Sequence, residues 1–212
     1  MPAYTTDGLI LKRSNFGEAD RILTVLTNRF GKISVIARGV RKITSRRAGN
    51  IEVLNLVKLH LFKAKSYTLT EAEAQETFAK LKESLLLSTV AFHVIELIDR
   101  LVPEGQKNEK LFDLSVSVLK ILEENPRQIF LRAFEVKLLG MLGFWGRKAV
   151  QGLDYDLQYL LDQLEKNSWQ EIEKMELNPQ QAVALERFLR YYTERVLESP
   201  LKSASVMEKL KA

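Results

Sequence analysis

The sequence predicts a chain of class β plus α in two domains: a small five-stranded barrel of the OB type, followed by an all-α domain. Two patterns predict this. Short β-branched runs separated by turn residues fill roughly the first 75 residues, and afterwards apolar residues recur at the 3.6-residue spacing of helices. A length of 212 residues, 46% of them hydrophobic, suffices for a buried core. The predicted domains are residues 1–77 and 78–212.

The first domain contains the predicted strands, and their number and length favour a small closed barrel. Gly17, Gly31, Gly39 and Gly49 punctuate the runs. The predicted strands cover about 4–13, 20–28, 32–39, 51–62 and 66–73.

The second domain has the pattern of helices that end at proline or glycine. Pro103 and Pro126 each follow a stretch of helical spacing, and Pro179 suits the first turn of a last helix. Ser168 is predicted to cap a short helix. The longer predicted helices cover about 78–101, 111–122, 128–142, 155–164 and 179–198.

Positive charge is concentrated in the predicted barrel. Residues 1–80 hold 14 basic and 7 acidic side chains, whereas the other 132 residues hold 18 and 20. No acidic residue occurs from Arg21 through Ile51, a stretch with eight cations, and the segment 40–50 within it is predicted to be a mobile loop. Such a surface suits a phosphate backbone. On composition alone, a solvated face without a ligand is an equally good interpretation.

We expect the cations of this stretch to contact phosphates, and two aromatic rings beside them to stack on bases. Tyr4, Phe62 and Tyr67 are further candidates for stacking, although packing in the core is the favoured role for each aromatic residue. The expected nucleic-acid-binding residues are Arg29, Lys32, Arg38, Arg41, Lys42, Arg46, Arg47, Phe16 and Phe30.

Residue types exclude several kinds of site. Without cysteine the chain has no disulfide, thiolate zinc site or cysteine nucleophile. It contains neither G-x-x-x-x-G-K-[ST] nor G-x-G-x-x-G, the common nucleotide-binding loops. His60 and His93 are interpreted as packed or surface residues. We therefore predict a protein that is not an enzyme, with no metal and no cofactor.

Membrane and export signals are not visible in the sequence. No uncharged apolar run approaches the roughly 20 residues of a membrane span. The N-terminus has no cationic head before its short apolar run, unlike a signal peptide. The expected location is the cytoplasm.

Two stretches resemble those of a known family. Residues 17–42, GEADRILTVLTNRFGKISVIARGVRK, fit G-E-x-D-[KR], a strand ending in Leu-Thr, a Gly-Lys turn and A-[KR]-G-x-[KR]. Residues 132–144, RAFEVKLLGMLGF, fit R-x-F-E-x-[KR]-L-L leading to L-G-[YF]. Together these motifs resemble the RecO family of bacterial recombination mediators, over about 1–145 and more loosely 180–203. Many members carry a four-cysteine zinc module after the second motif, and residues 145–178 take its place here.

The resemblance implies a non-enzymatic DNA repair protein with an OB barrel and a helical C-terminal domain. Members of this family bind single- and double-stranded DNA, anneal complementary strands and help to load the recombinase RecA onto DNA covered by single-strand binding protein. The implied partners are RecR, in many bacteria RecF, and the acidic C-terminal tail of single-strand binding protein, and the implied location is the nucleoid. For that tail we expect an apolar groove on helix 128–142 with Arg127, Arg132 and Lys137 at its rim.

Two other functions stay open on the sequence. The basic barrel would also suit an acidic protein surface, as in a protein–protein adaptor with little affinity for DNA at physiological salt. It would equally suit single-stranded RNA, since barrels of this type bind either nucleic acid.

Overall fold

The computed structural model of the chain describes residues 3–43, 45, 47–146 and 149–211. These residues form two compact units. The first consists of Met1–Ala79 and Ile98–Val116, and the second of Lys80–Leu97 and Ser117–Ala212. The first unit therefore takes in a segment that lies well beyond the predicted barrel, and the domain boundary at residues 77–78 stays a prediction.

The strands of the first unit are β1 (Ala3–Phe16), β2 (Asp20–Thr27), β3 (Gly31–Ala37), β4 (Leu56–Lys63) and β5 (Tyr67–Glu76). They close into a barrel in the order β1-β2-β3-β5-β4. Neighbouring strands are antiparallel except β3 and β5, which run parallel. The predicted five-stranded, OB-like barrel with a helical region after it is confirmed.

Alternating side chains fill the interior of the barrel. Leu23, Val25 and Leu59 are fully buried there. The long first strand pairs with both β2 and β4, and Gly8 sits where the two pairings overlap. A Cβ atom at Gly8 would lie 2.5 Å from a methyl carbon of Val25 and 2.8 Å from one of Leu59. Glycine is therefore needed for the strands to approach this closely.

The predicted start of the fourth strand at residue 51 was wrong, because β4 begins at Leu56. Ile51 and Leu54 are fully buried, yet they lie in turns rather than in extended backbone. Leu54 has a positive φ of 76°, and its N–H donates to the Ile10 carbonyl over 3.0 Å. Apolar residues that are buried in turns thus gave this segment the sequence pattern of a strand.

The described residues after the barrel form helices. They are α1 (Ala79–Lys82), α2 (Leu85–Leu101), α3 (Glu109–Glu124), α4 (Gln128–Met141), α5 (Tyr155–Lys166), α6 (Trp169–Glu173), α7 (Pro179–Leu197) and α8 (Lys202–Lys211). None of the helices in the described part of the chain is both long and apolar enough to cross a membrane.

Local sequence explains the starts of two predicted helices. Asn178 and Gln181 form a capping box at the start of α7, with Pro179 in the first turn. Ser168 and Glu171 form a second capping box at α6. Both predicted helix starts are confirmed.

Two helices differ from the prediction. The first predicted helix is divided into α1 and α2, because the Ser84 hydroxyl accepts a hydrogen bond from the Leu87 N–H and caps a new start. The last helix, α8, was not predicted. Its first turn is capped by the Glu96 carboxylate of α2, which accepts from the N–H groups of Lys202 and Ser203 over 2.9 Å each.

Candidate nucleic-acid interface

The predicted DNA-binding residues lie at two opposite ends of the barrel. At the upper end β1 and β3 finish, and at the lower end β1 and β3 begin. Because β3 has seven residues, each adding about 3.3 Å, the two ends are about 20 Å apart. Arg46 lies outside the described residues. The upper end carries Phe16, Arg38, Arg41, Lys42 and Arg47, and the lower end carries Arg29, Phe30 and Lys32.

Three of the upper cations are exposed on a turn that backbone hydrogen bonds hold in place. The Gly39 N–H donates to the Asp20 carboxylate over 2.8 Å, and the Arg41 N–H donates to the Ala19 carbonyl over 2.9 Å. The turn after β3 is thereby fixed against the turn between β1 and β2. Its outward side chains are Arg38, Arg41 and Lys42.

The Phe16 ring is at the same end of the barrel. It closes β1, beside the β1–β2 turn whose Gly17 carbonyl accepts from the Arg41 guanidinium over 3.2 Å. The Phe16 side chain is 51% exposed. An exposed ring next to exposed cations is the arrangement that base stacking on a single strand requires.

Arg47 has a different environment. Its guanidinium donates to the carbonyls of Leu69 (3.2 Å), Thr70 (3.1 Å) and Arg38 (2.9 Å). These bonds tie the loop between β3 and β4 to β5. Arg47 therefore holds the loop in position, and its side chain is only half-exposed to solvent.

An acid just outside the acid-free stretch neutralises part of its charge. Glu52 forms an ion pair with Arg13 and lies 3.7 Å from Arg21. The Arg21 side chain is 19% exposed. Arg21 is therefore engaged beside Glu52, while the cations of the turn after β3 project outward.

Lys32 lies inside the first unit. It is 7% exposed, and its ammonium donates to the Asp99 backbone carbonyl over 2.5 Å. Burial lowers the pKa of the Lys32 ammonium, and the nearby Asp99 and Glu104 carboxylates act in the opposite direction. We therefore leave Lys32 out of the candidate interface.

The other two lower residues remain near the surface. The Phe30 ring is half-buried and packs on Tyr4 and Tyr67, with centroids 5.4 and 5.5 Å away. Arg29 is exposed, and its guanidinium lies 5.5 Å from the Phe30 centroid while donating to the Thr5 carbonyl over 2.9 Å.

Two of the three cations predicted at a peptide groove on α4 cap other helices. Arg127 donates to the Met175 carbonyl over 2.7 Å, just after α6. Lys137 donates to the Glu165 and Asn167 carbonyls at the end of α5, over 2.8 and 2.7 Å. Cations suit helix C-termini, where carbonyls lack partners.

The third, Arg132, belongs to a buried ionic cluster that joins α4, α2 and α8. Its guanidinium bonds both Glu135 carboxylate oxygens, over 2.9 and 2.8 Å. The same carboxylate lies 2.7 Å from Nε2 of His93, whose Nδ1 lies 2.7 Å from the Ser203 hydroxyl. Burial raises the pKa of Glu135, but the charge of Arg132 and the hydrogen bonds from His93 and Arg132 outweigh this effect, so that the pKa lies below its ordinary value.

The serine, histidine and glutamate of this cluster have the residue types of a hydrolytic triad but a structural environment. Ser203 is 7% exposed, and its hydroxyl donates to the Glu96 carboxylate over 2.5 Å. His93 is 2% exposed. The hydroxyl oxygen is therefore enclosed and engaged, and His93 is packed.

Metal ligands are not gathered anywhere in the described residues: no three His, Asp or Glu side chains are placed to hold an ion. The chain also has no cysteine. In many members of the family that the sequence resembles, a four-cysteine zinc module stands where this chain has residues 145–178. Without cysteine, these residues cannot form that module.

Comparison with protein families identifies both parts of the chain. The model described as Recombination protein O N terminal matches residues 1–78. The model described as Recombination protein O C terminal matches residues 82–145 and 146–205. The chain belongs to the recombination protein O family.

Relatives of this family member are named DNA repair protein RecO. The protein of Symbiobacterium thermophilum is 38% identical over 147 residues, which are 68% of this chain and 58% of the relative. That of Pelotomaculum thermopropionicum is 37% identical over 145 residues, 68% and 57% of the two chains. That of Listeria monocytogenes is 30% identical over 141 residues, 66% and 55%. The chain thus spans less than three-fifths of the length of these relatives.

Proposed function

We propose that this chain is a DNA repair protein of the recombination-mediator type, and that it binds DNA through the upper end of its barrel. The observation that carries this proposal is a fixed turn with three exposed cations beside an exposed aromatic ring. Membership of a family whose relatives are named DNA repair proteins supports the nucleic acid as the ligand. The upper surface consists of Phe16, Arg38, Arg41 and Lys42.

Family resemblance supports a more detailed role. We infer that the chain binds single- and double-stranded DNA, anneals complementary strands and helps to load RecA onto DNA covered by single-strand binding protein, together with RecR and RecF. Annealing needs no catalytic group, because its main barrier is repulsion between the phosphates of two strands. A cationic surface that leaves base edges free lowers this barrier.

We propose that a cleft beside α4 binds the apolar end of the tail of single-strand binding protein. The rings of Phe130 and Trp169 have centroids 6.3 Å apart and line a cavity of about 360 Å³ with Ile121 and Lys120. Glu124 and Glu173 also line this cleft, so we assign to it only the apolar terminal side chain of the tail.

The test of the upper surface is charge reversal in the full chain, Arg38→Glu, Arg41→Glu and Lys42→Glu together. Binding of a labelled single-stranded oligonucleotide is measured by fluorescence anisotropy at 50 and 200 mM salt. We expect at least about tenfold weaker binding and a shallower salt slope, because up to three phosphate contacts are lost. Thermal stability should not fall, since the three side chains are exposed.

The matched control reverses three exposed lysines elsewhere, Lys110→Glu, Lys174→Glu and Lys209→Glu, with the same change in net charge. Equal weakening in both variants would show that binding follows net charge alone and would refute the upper surface. Wild-type protein that binds an acidic peptide but no DNA would be an adaptor. Tighter binding of RNA than of DNA of the same sequence would assign an RNA ligand.

A further inference from the structure

We propose that the Glu52 carboxylate occupies a phosphate subsite formed by Arg13 and Arg21, and that this occupation limits the affinity of the barrel for DNA. The inference rests on the proposed function, because it concerns how binding at the upper end is regulated. A phosphate must displace the carboxylate before it reaches the two guanidinium groups. Glu52 is thus an internal competitor of the ligand.

Arg13 and Arg21 lie at the upper mouth of the barrel, on its inner side. Arg13 is in register with Leu23, and Arg21 is in register with Ala37. Leu23 and Ala37 both belong to the barrel core. Because side chains in register share one face of a sheet, both guanidinium groups belong to the inner face of the barrel, close to its upper edge.

The loop between β3 and β4 brings Glu52 to this mouth. Ile51 is part of the barrel core, so the residue that follows it is fixed at the edge of that core. The Glu52 carbonyl accepts from the Asn55 N–H over 3.1 Å. The Glu52 carboxylate pairs with Arg13, and its Oε1 lies 3.7 Å from Nη1 of Arg21. The Glu52 side chain is 41% exposed, so a ligand can approach it from solvent.

Arg21 has donors that the carboxylate does not satisfy. Its Nε and Nη1 are buried and have no hydrogen-bond partner in the described part of the chain. A separation of 3.7 Å from Glu52 is too long for a hydrogen bond. Buried donors without acceptors cost free energy. Glu52 is tethered to its loop, whereas the phosphate of a mobile strand can place its two free oxygens to meet both arginines.

The subsite adjoins the proposed upper surface. Arg21 is in register with Asn15 and Ala37, whose next residues along the chain are Phe16 and Arg38. A strand held by the upper surface therefore has its phosphates near the mouth of the barrel.

Other acids at this end do not take the place of Glu52. Asp20 accepts from the Gly39 N–H over 2.8 Å and so holds the turn after β3. Glu18 is exposed on the turn between β1 and β2, and it pairs with no cation among the described residues. Glu52 is therefore the acid whose charge directly opposes a phosphate at the two arginines.

The first test neutralises Glu52 in the full chain with Glu52→Gln, which keeps an oxygen that can accept from Arg13. Binding of labelled oligo(dT) is measured by fluorescence anisotropy at 50 and 200 mM salt. We expect at least about fivefold tighter binding at 200 mM salt, because two guanidinium groups become available to phosphates. The slope of log affinity against log salt should steepen by up to about 1.4, since each phosphate contact with a single strand adds about 0.7.

The matched control is Glu18→Gln, which removes the same charge at the same end of the barrel. It should change the affinity less than about twofold and leave the salt slope unchanged, because an exposed charge without a partner is screened by salt. Arg13→Gln, added to each chain, should weaken binding at least about threefold more in the Glu52→Gln background than in the wild type.

The outcomes separate the subsite from the proposed function. Equal tightening by the two glutamine variants would show an effect of net charge and would overturn the subsite, as would an unchanged affinity of Glu52→Gln. Wild-type protein that binds no DNA would refute the proposed function. In that case, binding by Glu52→Gln alone would still support the subsite, and binding by neither chain would refute both.

The second test uses the unaltered chain, so that it does not depend on a variant at Glu52. The Nε–H signals of the arginines are followed by NMR during titration with oligo(dT), and Arg13→Lys and Arg21→Lys assign the two signals. We expect both to shift on binding, whereas the signal of Arg47, which is bonded to carbonyls of its own barrel, should change little. Unmoved Arg13 and Arg21 signals at saturation would overturn the subsite and leave the upper surface intact.

Discussion

At the scale of single residues, Gly31 decides what the neighbouring lysine can do. Its φ is 68°, and a Cβ atom there would lie 2.1 Å from the Gln106 carbonyl oxygen. The next carbonyl, that of Lys32, accepts from the Gly105 N–H over 2.8 Å. The close approach thus fixes the Gly-Lys turn to the segment after α2 and keeps Lys32 inside the first unit.

Gly31→Ala should therefore destabilise the protein strongly. We expect a loss of roughly 2–4 kcal/mol in the free energy of unfolding, from a backbone clash added to a strained φ. Gly17→Ala is the matched control, because its φ is 56° but no atom lies within 4 Å of the added Cβ. It should cost about 1 kcal/mol. Urea unfolding measures both, and equal losses would contradict the role given to the contact with Gln106.

The same residues show the limit of sequence interpretation. Composition identified the cations around β3, but it could not separate the exposed Arg41 from the buried Lys32 or from Arg47, which ties down a loop. The burial of Lys32 depends on Asp99, and the hydrogen bonds of Arg47 depend on β5. Both partners are distant in sequence from the residue that they contact.

At the scale of elements, α4 is organised around a buried charge. Glu135 is 3% exposed and accepts from Arg132, which is 5% exposed. Their pairing occupies the R and E of the second sequence motif, so this motif has a structural role here. The caps of α6 and α7 were predictable because Ser168 and Asn178 act on their own helices. The start of α8 was not, because its cap is a carboxylate on α2.

Glu135→Gln should be costly, because it leaves the Arg132 charge buried without a counter-ion. We expect a loss of roughly 3–5 kcal/mol at neutral pH, measured by urea unfolding. The exposed Glu176→Gln should cost less than about 0.5 kcal/mol.

The pH dependence follows from the lowered pKa of Glu135. As the pH falls, the unfolded chain takes up a proton at the ordinary value of about 4.3, before the folded chain does. Stability from the ionised carboxylate is thus fully present above that pH and is lost below it. The difference between wild type and Glu135→Gln should shrink in this range, and a constant difference would contradict the assignment of an ionised carboxylate.

At the scale of the whole molecule, the barrel and the helical part of the chain differ in net charge. The excess of basic residues lies in the first 80 residues, while the helical remainder is close to neutral. The overall fold was predictable from periodicity, whereas the inclusion of residues 98–116 in the barrel unit was not, since a helical pattern does not say which core it joins.

Because residues 98–116 belong to the barrel unit, one substitution should have different effects in the full chain and in a fragment without them. Leu26 is 1% exposed on the outer face of the barrel, next to Lys32, whose ammonium reaches residue 99. In the full chain, Leu26→Thr should therefore cost roughly 2–3 kcal/mol, because an apolar side chain leaves a buried site. In a fragment of residues 1–80 we expect the same position to be uncovered, so that the substitution should be neutral within about 0.5 kcal/mol, since threonine suits an exposed strand. Thermal unfolding followed by circular dichroism, with the same pair of variants in both lengths of chain, gives the comparison. Equal losses in the two would show that the barrel buries Leu26 on its own and that its boundary lies before residue 80.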